Sequence, residues 1–297
     1  MNTYLDCIPC ILRQSLEAAR NVTKDARLHE QVLREVLRMT AELDLDRPPP
    51  FMGQAIHRRL RTLTGVTDPY EAAKRRFNRL AMDALFELRT AVRQAPDPLR
   101  AAATYAAAAN AIDMGIASAY TTSDIRAVLQ SATREALLGD WAGFQAAAAN
   151  ASDILYLADN AGEIVIDRLL IEQLGPGRVT IAVRGAPVLN DATVADAREA
   201  GLQDIVEVID NGSDAPGTIL ADCSDAFRQR FNRADLIIAK GQGNFETLSS
   251  ADGNLVFLFK VKCPVIAGHA GLPLGSLALI HHVGGRPIRH ARQENHP

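Results

Sequence analysis

The chain has 297 residues, enough for one large domain or two moderate ones with a sizeable buried core. Its apolar share is 47%, its charged share 23% and its formal net charge −3, with acidic and basic residues interspersed. That balance gives no electrostatic footprint for nucleic acid or for an anionic membrane surface. No apolar run reaches the roughly 18 residues that a membrane span requires. The start, Met1-Asn2-Thr3-Tyr4-Leu5-Asp6-Cys7, lacks the basic opening and apolar stretch of a secretory signal. Four cysteines in this length do not make a disulfide framework, and a cytoplasmic location is the expectation.

The first half reads as helical. Residues 11–21 open it, and residues 29–43 carry Val32, Leu33, Val36, Leu37 and Leu43 at helical spacing. Arg47-Pro48-Pro49-Pro50 reads as a stop. Residues 51–63 and 69–93 resume the pattern, with Pro69 suited to a first helical turn. Pro96 and Pro98 interrupt it again. Residues 101–119 are Ala-rich and helix-prone, and residues 123–138 follow a Ser/Asp start signal.

Near residue 150 the texture changes. Ile154-Leu155-Tyr156-Leu157, Val179-Thr180-Ile181-Ala182-Val183, Ile205-Val206-Glu207-Val208-Ile209, Leu236-Ile237-Ile238-Ala239, residues 255–260 and Pro264-Val265-Ile266-Ala267 read as strands. The amphipathic stretches 164–174, 194–200 and 220–231 alternate with them. Such alternation implies an α/β fold with a largely parallel, covered sheet. The expected organisation is a helical part over residues 1–150, an α/β part over residues 151–285, and a polar tail over residues 286–297. The His- and Arg-rich composition from about His281 onward reads as frayed.

In parallel sheets ligands bind beyond the carboxyl ends of the strands, and three motifs fall there. Asp159-Asn160-Ala161-Gly162-Glu163 follows a strand and opens a helix, offering a carboxylate and an amide oxygen to a hard cation. Read alone it is equally an ordinary Asp/Asn helix cap. Leu189-Asn190-Asp191-Ala192-Thr193 repeats the arrangement at the next strand. Two such pairs at neighbouring strand ends favour Asp159, Asn160 and Asp191 as ligands of Mg²⁺ or Mn²⁺. Ala239-Lys240-Gly241-Gln242-Gly243-Asn244-Phe245-Glu246 reads as a Gly-rich turn with a cation and a donor, suited to a phosphate. It lacks the order of a Walker A loop.

Other residues stay open at this stage. Asn110 and Asp113, three apart in Ala109-Asn110-Ala111-Ile112-Asp113-Met114-Gly115, either cap locally or point into a cleft. The loop of residues 211–218 is a plain turn or a substrate contact. Cys7-Ile8-Pro9-Cys10, which Cys263 could join in space, is compatible with buried free thiols or with a second metal or redox site. No nucleophile elbow or Ser/His/Asp set is evident.

Taken together the chain resembles the damage-control phosphatase family, first catalogued as domain of unknown function 89. The stand-alone prokaryotic branch with an N-terminal C-x-x-C is the nearest in pattern. The resemblance is carried by Cys7-Ile8-Pro9-Cys10 with Arg13-Gln14, residues 110–115, 159–167 and 190–193, Pro216-Gly217-Thr218, and residues 240–246 and 260–264. It implies an N-terminal helical subdomain on a three-layer α/β/α domain, with the site in the cleft between them. It also implies divalent-cation-dependent hydrolysis of small phosphorylated metabolites, with Co²⁺ or Ni²⁺ as further cations. Carried over by position, Asp159, Asn160 and Asp191 hold the metal, and Asp159 and Lys240 are catalytic. Asn110, Asp113, Glu163, Asn190 and Asn244 face substrate, and Arg13 lies near the cleft. A non-catalytic metal- or metabolite-binding protein and a methyltransferase are the competing readings.

Overall fold

In the computed structural model, residues 1–110, 127, 131 and 135–284 are described. The helical first half begins as its apolar spacing predicts. Helices α1 (Cys7–Val22), α2 (Ala26–Ala41) and α3 (Pro49–Thr64) bury Ile11, Val32, Val36, Met52, Ile56 and Leu60 against one another. Asp25 caps α2 by accepting from the Arg27 amide at 2.9 Å. The proline run both stops the preceding segment and starts α3, because prolines fit a first turn whose N–H groups have no helical partner.

Helix α4 (Glu71–Gln94) and α5 (Pro98–Ala109) leave that bundle and cover the sheet. Pro98, expected as a break, is the first residue of α5, behind Asp97, which accepts from the Arg100 amide at 3.0 Å. Ala102, Ala103, Ala106 and Ala107 are each 0% exposed, and their small side chains let α5 approach the sheet helix that follows β2. Residues 111–119 of the predicted helix, and most of 123–134, lie outside the described residues.

The rest alternates as β1 (Leu137–Gly139), α6 (Trp141–Asn150), β2 (Ile154–Leu157), α7 (Glu163–Leu174), β3 (Val179–Val183), α8 (Val194–Glu199) and β4 (Glu207–Asp210). It continues with α9 (Asp225–Arg233), β5 (Leu236–Lys240), α10 (Gly241–Leu248), β6 (Asn254–Lys260), α11 (Pro264–Ala270) and β7 (Leu277–Val283). The strand order is β1-β7-β6-β5-β2-β3-β4. Strands β2 to β6 run parallel, whereas β7 is antiparallel to β6 and carries β1 beside it. One apolar cluster lies between the sheet and α4 to α8, and a second lies under α9 to α11. This is the expected α/β architecture: three layers, a mostly parallel sheet and a helical N-terminal part.

Four local readings change. Leu137 and Leu138, read as the end of a helix, form β1 against Leu277 and Ala278. Residues 264–267, read as a strand, begin α11, where Pro264 needs no N–H partner. The Gly-rich segment after β5 is helix α10, starting directly at Gly241. His281 and His282, read as the start of a frayed tail, belong to β7, and their rings meet Asn254 Oδ1 at 2.7 Å and the Ala251 carbonyl at 3.2 Å. Residues 286–297, with His290 and His296, lie outside the described residues. Among the described residues no helix is long and apolar enough to cross a membrane.

The tight α5 packing makes a direct test. Ala107→Leu places a branched side chain where no space exists, and urea unfolding is expected to show a loss of about 1–3 kcal/mol.

Candidate active site

The chain leaves β2 toward β3 and β4 on one side, then returns to β5 and β6 on the other. The carboxyl ends of β2, β3 and β5 therefore flank the point where the direction of winding reverses, the usual ligand position in such sheets. The backbone stitches the first two motifs together there. The Ala192 amide donates to the Asp159 carbonyl at 2.7 Å, the Ala161 amide donates to the Asn190 carbonyl at 2.9 Å, and Asn160 and Asp191 form an antiparallel bridge. Leu189 takes a positive φ of 45° to turn the chain into this bridge, a conformation a branched side chain rarely adopts. Asp159, Asn160 and Asp191 are thus brought side by side.

Amides from three elements organise the carboxylates. Asn110, at the end of α5, donates Nδ2 to Asp159 Oδ2 at 2.8 Å and to Glu163 Oε2 at 2.9 Å. Asn160 donates to the same two oxygens at 2.7 and 3.0 Å. Asn110 Oδ1 in turn accepts from the Lys260 amide at 3.2 Å, tying the site to β6. From α4, Asn78 Oδ1 accepts from the Gly162 amide at 2.7 Å, fixing the turn that precedes Glu163. Gly241, with φ +80°, has to be glycine: a Cβ there would lie 2.0 Å from Asp159 Oδ2.

Lys240 stands at the end of β5, 0% exposed. Its ammonium donates to Glu163 Oε1 at 2.7 Å, Asp167 Oδ1 at 2.7 Å and the Ala106 carbonyl at 2.9 Å. All three N–H bonds are therefore engaged, and in this arrangement the residue holds Glu163 and Asp167. Burial alone would lower the ammonium pKa; Asp167 and Glu163 overcome it and hold it above its ordinary value. For Glu163, burial is outweighed by Lys240 and by the amides of Asn110 and Asn160, so its carboxyl stays below the usual range. Asp167 lacks those amides. Burial and the nearby Glu163 charge raise it to about 6 against the pull of Lys240. Burial, together with repulsion from Glu163 and Asp191, pushes Asp159 well above the carboxylate range. Burial also raises Asp191, opposed by Arg184.

Two residues with no assigned role in the sequence reading prove central. Arg184, the residue after β3, donates Nε to Asp191 Oδ2 at 2.6 Å. Its Nη1 reaches Asn244 Oδ1 at 3.3 Å and Thr218 Oγ1 at 3.4 Å. Asn244 is fully buried, donates to the Lys240 carbonyl at 2.7 Å and accepts from Thr218 Oγ1 at 2.8 Å. Asp167, the second, is spaced i,i+4 from Glu163 on an otherwise apolar helix face, a pattern that could have exposed the pair. Of the remaining expected residues, Asn190 is half-buried and enters through its carbonyl, while Asp113 lies outside the described residues. Among the described residues no group of three or more His, Cys, Asp or Glu is disposed to hold a metal ion.

A family model described as the damage-control phosphatase ARMT1-like domain matches residues 3–277. The chain belongs to this family. It is 34% identical over 280 residues to a damage-control phosphatase of Archaeoglobus fulgidus, covering 91% of this chain and 96% of that one. A damage-control phosphatase of Pyrococcus horikoshii is 30% identical over 283 residues, with 93% and 97% coverage. An uncharacterised protein of Methanocaldococcus jannaschii is 33% identical over 293 residues, with 93% and 94% coverage. The crystal structure of a domain-of-unknown-function-89 protein from Pyrococcus horikoshii superimposes with a TM-score of 0.86 at 29% identity, covering 95% of this chain and 99% of that one.

Three cysteines of this damage-control phosphatase family member, Cys7, Cys10 and Cys263, form a separate neighbourhood where α1 and α11 begin, while Cys223 lies buried ahead of α9. All four are free thiols. Cys7 is pushed up by burial and also feels Glu246, Cys263 and Cys10. Burial likewise raises Cys263. Exposed Arg13 donates to Cys10 Sγ at 3.8 Å. Gln242 Nε2 bridges Cys263 Sγ at 3.8 Å and Glu246 Oε1 at 3.0 Å. Burial raises the Glu246 carboxyl from 4.5 to about 7, against the pull of Gln242 and the N-terminal amine.

That shift has a defined sign. The folded carboxyl keeps its proton up to about 7 while the unfolded one releases it near 4.5, so stability falls as pH rises through that window and levels above it. Glu246→Gln should remove this slope. Denaturant unfolding between about pH 4 and pH 8 is expected to move in favour of the variant by about 3 kcal/mol.

Proposed function

We propose that this chain is a divalent-cation-dependent phosphatase that hydrolyses small phosphorylated metabolites. The observation that carries the reading is the backbone bridge between Asn160 and Asp191. It brings the residues Asp159, Asn160 and Asp191 side by side at adjacent strand ends. The names of two relatives, damage-control phosphatases of Archaeoglobus fulgidus and Pyrococcus horikoshii, support the reaction class.

The residues present fit a hard cation. Four buried carboxylates, Asp159, Glu163, Asp167 and Asp191, share two buried cations, Lys240 and Arg184. The crowding falls hardest on Asp159, where burial, Glu163 and Asp191 push the carboxyl well above its ordinary range, disfavouring its charged form until a cation joins it. Asp159, Asn160 and Asp191 would hold the ion, Mg²⁺ or Mn²⁺ by the all-oxygen donor set, with Co²⁺ or Ni²⁺ as further choices. Bound there, the ion would supply Lewis-acid polarisation of a phosphoryl oxygen and charge neutralisation.

The chain's own residues do the rest. Asn110 and Asn160 hold Asp159 by one carboxylate oxygen, leaving Oδ1 turned toward Arg184. Lys240 keeps Glu163 ionised and aimed at the same pocket, where it flanks the substrate with Asn190. Lys240 therefore acts through Glu163 and serves as a positioning residue. Asn244 locks the start of α10 against the strand end. Hydrolysis adds water across the phosphoester bond: the hydroxyl goes to phosphorus and the proton to the departing alcohol.

The test is release of inorganic phosphate from a panel of phosphomonoesters with Mg²⁺, Mn²⁺, Co²⁺ or Ni²⁺. Asp159→Asn and Asp191→Asn are expected to lose at least about 100-fold of the cation-stimulated rate while unfolding at a temperature near that of the parent. Full cation-stimulated turnover in either variant would sink the metal assignment.

A further inference from the structure

Lys240 and Arg184 are the two cations buried at the strand ends, and they differ in one respect. Lys240 has spent all three donors. Arg184 is 2% exposed, with Nε on Asp191 and Nη1 toward Thr218 and Asn244. Its Nη2 is buried and has no hydrogen-bond partner among the described residues, although Asp159 Oδ1 lies 3.7 Å away. A buried guanidinium donor without an acceptor calls for a partner such as an ordered water, an ion or a ligand, and among the described residues Arg184 is the one such arginine that stands among the strand-end carboxylates.

The rest of the fork is immobilised. Two of its three nitrogens are held by β3's own continuation and by the start of α10, so Nη2 is presented at a fixed place between Asp159 and Asp191. A phosphate dianion bound at these strand ends would meet the carboxylates of Asp159, Glu163 and Asp191, and needs a cationic donor in line with them. Guanidinium suits that task, because it can keep its contacts to a carboxylate on one edge while donating to a phosphoryl oxygen from the other.

We propose that Arg184 Nη2 binds one phosphoryl oxygen of the phosphomonoester substrate and of the inorganic phosphate product. The proposal rests on the phosphatase reading above and adds to it the group that seats the phosphate. Arg184 differs in this from a mere support for Asp191, since a support would affect cation binding and phosphate binding together.

The experiment separates these. Arg184→Lys keeps the charge but cannot serve Asp191, the Thr218–Asn244 pair and a phosphate at once. Inhibition by inorganic phosphate and KM for a phosphomonoester are both expected to weaken by about 10-fold or more. Mn²⁺ binding, titrated calorimetrically without phosphate, is expected to weaken clearly less than phosphate inhibition does, because the lysine keeps a cation beside Asp191. Unchanged phosphate inhibition and KM would overturn the proposal, as would a loss of Mn²⁺ affinity in step with phosphate affinity. A wild-type crystal soaked with Mn²⁺ and inorganic phosphate gives a readout independent of how the variant folds. A phosphoryl oxygen within hydrogen-bond distance of Nη2 supports the assignment, and a phosphate seated without that contact overturns it. A wild-type protein that binds phosphate at Arg184 yet hydrolyses no ester would defeat the phosphatase reading and leave this one standing. Full turnover with an indifferent Arg184→Lys variant would do the reverse.

Discussion

Beneath the strand ends, the Lys240 ammonium is fully buried. Its charge is met by Glu163, Asp167 and the Ala106 carbonyl, and these partners come from α7 and α5 while Lys240 itself ends β5. One ammonium therefore fixes where three elements meet. It also keeps Glu163 ionised, which lets the Asn110 and Asn160 amides donate across Glu163 and Asp159 as a pair. Deleting one member of such a buried set leaves an uncompensated charge, at a cost of about 3–5 kcal/mol. The interaction is a condition for the site as well as a contact within the fold.

A cluster of this kind is poorly explained by stability alone. Burying ions sacrifices their hydration, and apolar residues of similar size often hold a core together as well or better. Here the carboxylates outnumber the buried cations, and the imbalance lies at the carboxyl ends of the central strands, where winding reverses. Local conflict of that sort is where functional demand on a sequence is expected to show. The opposite ends of the strands, lined by Asp153, Arg178, Thr180 and Glu207, form a cleft of about 520 Å³ without a comparable buried cluster.

The fold was largely legible because its signals are local. Periodicity places α1 to α4, and short β-branched runs place β2, β3 and β5 to within a residue or two. Where a segment's fate depends on a distant neighbour, reading it locally fails. β1 and β7 exist because they pair with each other and with β6, and nothing in Leu137-Leu138 or His281-His282 announces that. The site divides in the same way. Asp159, Asn160, Glu163 and Asp191 stand out as paired polar residues after strands, and Asn110 as a polar residue closing an alanine run. Arg184 passes for a surface turn residue and Asp167 for the solvent side of a helix. Their burial follows from partners that only the folded chain supplies: Asp191, across the turn after β3, for Arg184, and Lys240, at the end of β5, for Asp167. The Gly-rich segment misled differently: its glycines suggest a loop, but Gly241 is there because Asp159 leaves no room for a Cβ.

Helices α1 to α3 have an apolar core of their own, distinct from the two that clothe the sheet. Much of what ties them to the α/β layers is polar: Gln54 and Arg58 on Asp214, Gln54 on Asp222, Arg61 on Asp214, and Arg61 on the Pro187 carbonyl at 2.9 Å. The anchor points, Pro187 and Asp214, belong to the loops after β3 and β4; Pro187 lies between Arg184 and Asp191, and Ser213 beside Asp214 accepts from the Gly185 amide at 2.8 Å. Ion pairs weaken with salt in a way that apolar packing does not. The bundle is thus a cooperative unit whose docking free energy answers to ionic strength. Amide exchange in α1 to α3 should accelerate with added salt while the central strands remain protected, and the loops after β3 and β4 would register the same loosening.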